Sequence, residues 1–217
     1  APITFYGNPS QTTGPSGSGA LDLGGGASGQ YGDIVGITTG GAMTFAASVR
    51  FDSTGGWERV FDFGQANSGG IGNIYVARDF TTNNLTFTIE KNGTTLTTYR
   101  ATATGVITNG TWLHFAATVD ASGNMALYIN GSLAASQVGV TPDIGVRDHN
   151  YIGKSHWNPD AGLDGAIDNF VVMNGAMSAA NVLALYQQTI ATAFTVAENA
   201  ANGTVVGTVV ALDVDAS

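Results

Sequence analysis

The sequence has no cysteine. Disulfides, thiolate metal sites and cysteine nucleophiles are excluded at once. Positive charge is nearly as scarce. Seven Lys and Arg stand against sixteen Asp and Glu, a formal net charge of −9 over 217 residues. Nucleic-acid binding needs cations clustered opposite phosphates, so that class is excluded, and an anionic membrane surface is disfavoured for the same reason. No apolar run approaches the ~20 residues of a membrane-spanning helix, so direct insertion into a membrane is not expected. Glutamate occurs three times, at Glu58, Glu90 and Glu198, in three separate segments. Charged residues amount to 11%, about half the usual share, so each ionisable group invites a question about its purpose.

What is present builds strands and turns. Apolar residues make up 43% and Gly 31 of the 217 positions, enough for a sizeable core joined by tight turns. Thirteen of the sixteen acids are Asp, the shorter acid that suits turns and Ca²⁺ loops. Phe45, Ala47, Val49 and Phe51 alternate in TFAASVRF; Leu85, Phe87 and Ile89 in LTFTIE; Leu113, Phe115, Ala117 and Val119 in LHFAATV; Met125, Leu127 and Ile129 in MALYI. A period of two predicts strands buried on one side. Turn signals separate them at Lys91-Asn92-Gly93, Asn109-Gly110, Ser122-Gly123 and Asn130-Gly131, and Asn-Gly favours two-residue hairpins. The expected fold is all-β, an antiparallel two-sheet sandwich. One helix is expected near Ser178–Gln187, with Ser178 as N-cap and a stripe of Val182, Leu185 and Tyr186.

The opening APITFYG reads as a segment from within a longer chain. Residues 1–19 read as an N-terminal segment or linker, with 7–19 a polar loop. Residues 20–188 form the sandwich. From 189 the pattern changes to strand, turn, strand, and 189–217 read as the start of a second domain.

Three runs carry a resemblance: GWERVFDFG (56–64), GTWLHFAATVDASGNMALYINGSLAAS (110–136) and NYIGKSHWNPDAGLDGAIDNFVVMNGAMSAANVLALY (150–186). In order and spacing they resemble the laminin-G-like, concanavalin-A-like jelly-roll modules found in bacterial surface proteins and beside glycan-degrading enzymes. Residues 193–216, with FTVAENAANGTVV followed by ALDVD, are similar to the start of a cadherin-type repeat. The combination resembles a piece of a large, repeat-built bacterial adhesin, secreted or displayed at the cell surface. Absence of disulfides fits a bacterial chain better than an animal extracellular module. The resemblance implies Ca²⁺, with Asp168 in GAIDNF at the position of a carboxylate that ties late and early strands, and Asp22 in ALDLGG as a second ligand. In the repeat it implies Glu198, Asp213 and Asp215 as ligands shared with neighbouring repeat domains of the same chain.

Catalysis has little to draw on. Retaining glycosidases need two carboxyls ~5–5.5 Å apart, and no strand of the sandwich carries carboxylates at i and i+2; an enzyme is not expected. In WERVFDFG, alternation sets Phe61 and Phe63 on one face and Val60 with Asp62 on the other. Arg59 and Asp62 there read as a charge-assisted tie between strands, and Trp57, before the strand, as a stacking platform on a loop. His114 and Trp112 read as sheet-face residues.

The stretch RDHNYIGKSHWNPDAGLDG holds the densest set of ligand-type side chains: Arg147, Asp148, His156, Trp157, Asn158 and Asp160. One reading is a folded corner, with Ser155 and Asp160 bonding loop amides and Trp157 covering the core edge. The other is a glycan site, because a sugar ring offers apolar C–H faces to an aromatic ring and a rim of hydroxyls to Asp, Asn and Arg. The expectation is a non-catalytic carbohydrate-binding module of a calcium-dependent adhesin. Its alternatives are a protein-binding or structural spacer, or an accessory module of a glycan-degrading enzyme.

Overall fold

A computed structural model of the chain describes residues 2–17, 19–24, 29–64, 72–91 and 97–191. Among them two antiparallel seven-stranded sheets stack as a jelly-roll sandwich. The first sheet runs β1 (Ile3–Tyr6), β4 (Tyr31–Ile34), β15 (His149–Ile152), β7 (Arg59–Gly64), β8 (Ile74–Arg78), β9 (Leu85–Lys91), β10 (Thr97–Ala103). The second runs β13 (Ser132–Val138), β12 (Asn124–Ile129), β11 (Trp112–Val119), β6 (Met43–Phe51), β16 (Gly165–Asn174), β3 (Gly19–Asp22), β2 (Ser10–Thr13). A small ribbon pairs β5 (Ile37–Thr39) with β14 (Gly145–Arg147).

The alternating residues meet where the period of two places them. Phe45, Ala47, Val49 and Phe51 of β6 pack with Phe61, Phe63, Phe87 and Phe115 in one core. Phe45 stacks on Phe61 at 4.7 Å between ring centres and meets Phe63 edge-on at 5.5 Å. Each such ring, fully buried, contributes about 1.5–3 kcal/mol of transfer free energy. The Asn130-Gly131 pair takes φ of 50° and 78°, the mirror-image turn that matches strand twist, and joins β12 to β13.

The helix α1 (Ala179–Ile190) starts where expected. Ser178 accepts a hydrogen bond from the Asn181 amide at 3.3 Å. It packs Val182 over Ala46, Ala116 and Tyr128 on the outer face of the second sheet. His114 lies on that same face, its ring 5.6 Å from the Tyr186 ring. Burial pushes the His114 imidazole down to about 4, so it stays neutral at neutral pH.

Three findings differ from the sequence expectation. The segment 7–19 supplies β2, which pairs with β3 in register Ser10↔Asp22 to Thr13↔Gly19; its Ser, Gln and Thr side chains suit a solvated edge. Strands β7 and β8 are buried on both faces, and β9 is too except at Lys91. Some of their outward polar groups find partners nearby, as in Thr102 Oγ1 donating to Thr86 Oγ1 at 3.2 Å and Asn73 Nδ2 donating to Asp62 Oδ1 at 2.7 Å. Val60 joins Phe61 and Phe63 in the core, because the β7–β8 register shifts between Arg59 and Phe61 and leaves an extra residue there. A second shift, between Asp168 and Val171 of β16 against β6, sets Asn169 at φ 53°.

Candidate functional site

After Ile152 the chain leaves the first sheet at Gly153, whose φ is +82°. A Cβ there would stand 2.3 Å from Leu23 Cδ1, so glycine, which accepts that angle without strain, suits the exit. The loop closes on itself where the Leu163 amide donates to the Gly153 carbonyl at 2.9 Å, and it is tied to a neighbour where Ala161 N donates to Gly56 O at 2.9 Å. Inside it, Ser155 Oγ accepts from the Trp157 amide at 3.0 Å and donates to Asp160 Oδ2 at 2.9 Å. A side-chain hydroxyl thus fixes the turn, and the indole of Trp157 is held half-buried across the outer face of the first sheet.

Trp157 and Asp160 stand between two concavities. The larger, of about 420 Å³, is lined by Tyr31, Lys154, Ser155, Trp157, Asn158 and Asp160 among others. The smaller, of about 190 Å³, is lined by Trp57, Arg59, Tyr75, Glu90, Arg100, Trp157 and Asp160. Arg59 is the hub. Its guanidinium donates to Asp160 Oδ2 at 2.9 Å, to Asp62 Oδ2 at 3.3 Å and to the Trp57 carbonyl at 3.1 Å. It also lies 4.2 Å from the Tyr75 ring centre, 5.1 Å from Trp157 and 5.8 Å from Trp57. One buried cation therefore fixes three aromatic planes and two carboxylates.

Trp57 itself sits at φ 59°, a left-handed conformation that costs a bulky L-residue about 1–2 kcal/mol. Phe80 does the same at φ 53°. The Trp57 amide donates to the Phe80 carbonyl at 3.2 Å and their rings lie 6.5 Å apart. Strain of this kind persists where the surroundings over-determine it, as at ligand-holding sites. Arg100, exposed on β10, rests 5.0 Å from the Trp57 ring centre.

Glu90 is 5% exposed, and its Oε2 has no hydrogen-bond partner among the described residues. Burial first, then the nearby Asp62 charge, push its carboxyl up to about 7, against Arg59, Arg100 and a Tyr75 hydrogen bond pulling it down. With a folded-state value above the unfolded one, the native state binds the extra proton. Glu90 therefore makes the protein less stable as pH rises from 4.5 to about 7. His114, lowered to about 4, acts oppositely and adds stability from pH 4 to 6.5. Glu90→Gln should remove the first effect alone. At pH 8 the variant should gain on the order of 1–2 kcal/mol over the parent after allowing for solvent screening, and the gain should vanish at pH 4. Denaturant melts across that range check it; a gain independent of pH would show that Glu90 does not titrate there.

The side chains expected from sequence are partly brought together. Trp157, Asp160 and Asn158 line the larger concavity, and Trp57 joins Trp157 and Asp160 at the smaller. His156 turns inward: its ring packs 4.5 Å from Tyr151, and its Nδ1 lies 3.2 Å from Asp62 Oδ1 but out of hydrogen-bond alignment. Arg147 lies elsewhere and is 5% exposed. Its guanidinium donates to the Thr39 carbonyl and hydroxyl, both at 2.8 Å, and to the Gly72 carbonyl at 3.1 Å. An arginine needs carbonyls when buried, and this one fastens the β5–β14 ribbon instead of facing a ligand. Asp148 is an exposed bend outside both concavities. Glu90, Tyr75, Arg100, Tyr31 and Lys154 were not anticipated; a lone Glu closing the Thr-rich strand LTFTIE was the one sequence signal.

The acids proposed for Ca²⁺ divide in two. Asp22 Oδ1 accepts from the Gly24 amide at 2.8 Å, and its Oδ2 lies 4.0 Å from Arg50 Nη2. Asp168 Oδ1 accepts from the Asn169 amide at 2.8 Å. Among the described residues no group of three or more His, Asp or Glu gathers as metal ligands. A guanidinium beside Asp22 does not suit a cation that wants six to eight oxygens, so these two residues do not fit the ion as a pair. Glu198, Asp213 and Asp215 lie outside the described residues.

Comparison with known proteins adds a frame. The profile described as the concanavalin A-like lectin/glucanases superfamily matches residues 23–183. No curated protein sequence matches the chain. Among solved structures, domain 4 of AbnA, a GH43 extracellular arabinanase from Geobacillus stearothermophilus, in complex with arabinotriose, is similar with a TM-score of 0.62 and 17% identity, over 86% of this chain and 88% of that one. The binding domain of botulinum neurotoxin DC in complex with SialylT gives 0.63 and 16% over 87% of this chain. The receptor-binding domain of botulinum neurotoxin type G gives 0.63 and 14% over 86%. This chain spans 46% of each toxin domain. At such identities the likeness is one of fold.

Proposed function

This chain belongs to the concanavalin A-like lectin/glucanases superfamily, and from that premise we propose that it is a non-catalytic carbohydrate-binding module of a secreted or cell-surface adhesin. The observation that carries the reading is the wall between the two concavities: Trp157 offers an aromatic face, and the Asp160 carboxylate beside it an acceptor, its Oδ2 being held by Arg59 and Ser155. That is the pairing a sugar ring and its hydroxyls require. The arabinanase domain, solved with arabinotriose, and the toxin domain, solved with SialylT, support a glycan ligand by analogy of fold.

A hydrolytic reading has one observation in its favour, Glu90 and Asp160 lining the same concavity. Binding is preferred because Asp160 Oδ2 already accepts from both Arg59 and Ser155, which leaves it poorly placed as a nucleophile. The adhesin context and its calcium rest on residues 193–216 and their resemblance to a cadherin-type repeat. Thermal melts with Ca²⁺ and with a chelator, on a chain that completes the repeat, test that part; equal melting temperatures would remove it.

The binding test is a glycan array followed by calorimetry on the best neutral or charged ligand. Trp157→Ala should weaken binding at least tenfold. Asn158→Ala, an exposed rim residue, should weaken it severalfold without changing the melting temperature. If neither variant changes affinity, the loop is a structural corner and the site lies elsewhere.

A further inference from the structure

The chain holds seven cations against sixteen acids, and where those cations go is informative. Arg50 pairs with Asp52 at 2.6 Å, Arg59 with Asp62 and Asp160, Arg78 with Glu58 at 2.6 Å, and Lys91 with Asp143. Arg147 is buried on backbone carbonyls. Two remain, Arg100 and Lys154, with no carboxylate within 4.0 Å among the described residues. Both line the candidate site: Lys154 the larger concavity and Arg100 the smaller.

Each is also held in place by aromatic rings and not by a close ion pair, although Arg100 acts on the Glu90 carboxyl from a distance. Lys154 Nζ stands 4.0 Å from the Tyr31 ring centre and 4.6 Å from Tyr151, with no hydrogen-bond acceptor among the described residues. Arg100 rests on Trp57 and makes one long hydrogen bond, 3.3 Å, to the Tyr75 hydroxyl. Aromatic faces position a cation while leaving its N–H groups directed outward. A guanidinium is planar and presents a fork of donors that matches a carboxylate. Between the two cations run Trp157 and Asp160, common to both concavities. Two of the nearby acids, Asp62 and Asp160, share Arg59, and the buried Glu90 carboxyl lines the smaller concavity.

We propose that the glycan bound here is acidic: an oligosaccharide carrying carboxylates on uronic-acid-type units, stacked along Trp157 with one carboxylate at Lys154 and another at Arg100. The inference rests on the carbohydrate-binding reading and goes beyond it by naming the class of sugar. Carboxylate and sulfate esters would both seek cations, and the planar fork of Arg100 favours the carboxylate.

The test uses the full chain on an array of neutral, uronate-bearing and sulfated glycans, with Trp157→Ala as control. The best uronate-bearing ligand is then compared with its carboxyl-reduced form by calorimetry. Reduction of the carboxyls should weaken binding at least tenfold. Arg100→Gln and Lys154→Gln should each erase part of that difference, and the double variant most of it. Raising the salt concentration should weaken the acidic ligand and spare the neutral one. If neutral glycans bind best and Trp157→Ala abolishes it, the carbohydrate reading stands and the acidic assignment falls. A response confined to sulfated glycans overturns the carboxylate. If no glycan distinguishes the parent from Trp157→Ala, the carbohydrate reading itself fails, and this inference with it.

Discussion

Arg59→Ala is expected to cost roughly 3–5 kcal/mol of stability, the usual consequence of stranding a buried charge, and to abolish ligand binding. Arg59 is 2% exposed. Its removal leaves Asp62, which is fully buried, with Asn73 Nδ2 at 2.7 Å and the His156 amide at 3.1 Å as its hydrogen-bond donors among the described residues. It also frees Asp160 and takes away the cation against which Trp57, Tyr75 and Trp157 are arranged. For a chain of this length such a loss lowers the melting temperature by about 6–20 °C. Arg59→Lys keeps the charge but not the fork, so it should recover part of the stability and little of the binding. Thermal melts read the first effect and calorimetry the second. A melting temperature for Arg59→Ala within 2 °C of the parent would mean that the two aspartates are solvated enough to stand alone.

The second large effect belongs to Arg78, the largest side chain that is completely buried. It donates to Glu58 Oε2 at 2.6 Å, the Thr82 and Ser53 carbonyls at 2.9 Å each, and Asn109 Oδ1 at 2.9 Å, with the Phe51 ring 4.9 Å away. One side chain thereby fastens the 53–58 and 79–83 segments and the Asn109-Gly110 turn. Desolvation raises the Glu58 carboxyl despite Arg78 beside it, so Glu58 without its arginine is strongly disfavoured as an anion. Arg78→Ala should destabilise by about 3–5 kcal/mol, while Arg78→Met combined with Glu58→Gln should lose distinctly less, because no bare charge is left behind. A double variant as unstable as Arg78→Ala would show that the carbonyl contacts, not the ion pair, dominate. Since these loops carry Trp57 and Phe80, the single variant should also blunt binding at the smaller concavity.

Sheet and core were legible because β6, β9 and β11 put an apolar residue at every second position and glycine or asparagine at the turns, which leaves little freedom for register. Ser178 marked its helix for the same kind of local reason. The outer face of the first sheet was not legible. Thr86, Thr88 and Glu90 look like solvent-facing residues in LTFTIE, yet they are 5% exposed or less. What covers them, Trp57 and Trp157 among others, comes from other segments, which a period cannot report. Part of the site was visible, since Trp157, Asn158 and Asp160 lie within four residues. Tyr75, Glu90 and Arg100 join them only through cross-strand rows, such as Asp62↔Tyr75, Tyr75↔Thr88 and Thr88↔Arg100. Arg147 and His156 misled because residue type says nothing about direction; both are of ligand type and both turn into the protein.

The register shift in β16 sets a rule for chain length at one spot. Opposite β6, Asp168 faces Ser48 and Val171 faces Ala46, so three steps on one strand match two on the other. That odd step reverses the parity of everything after it. Ile167 faces the core before the shift, and Phe170 and Val172 face it afterwards, Phe170 5.7 Å from Phe61. Val171 meanwhile turns outward to the helix. Both halves of the strand keep their apolar residues inside only because their hydrophobic phases are offset by a single position. A chain one residue shorter here must expose one half or the other, whereas Asn169, at φ 53°, is exchangeable for glycine, which accepts that angle more readily. At this point the count of residues matters more than their identity, and an alignment gap, not a substitution, is the change this strand does not tolerate.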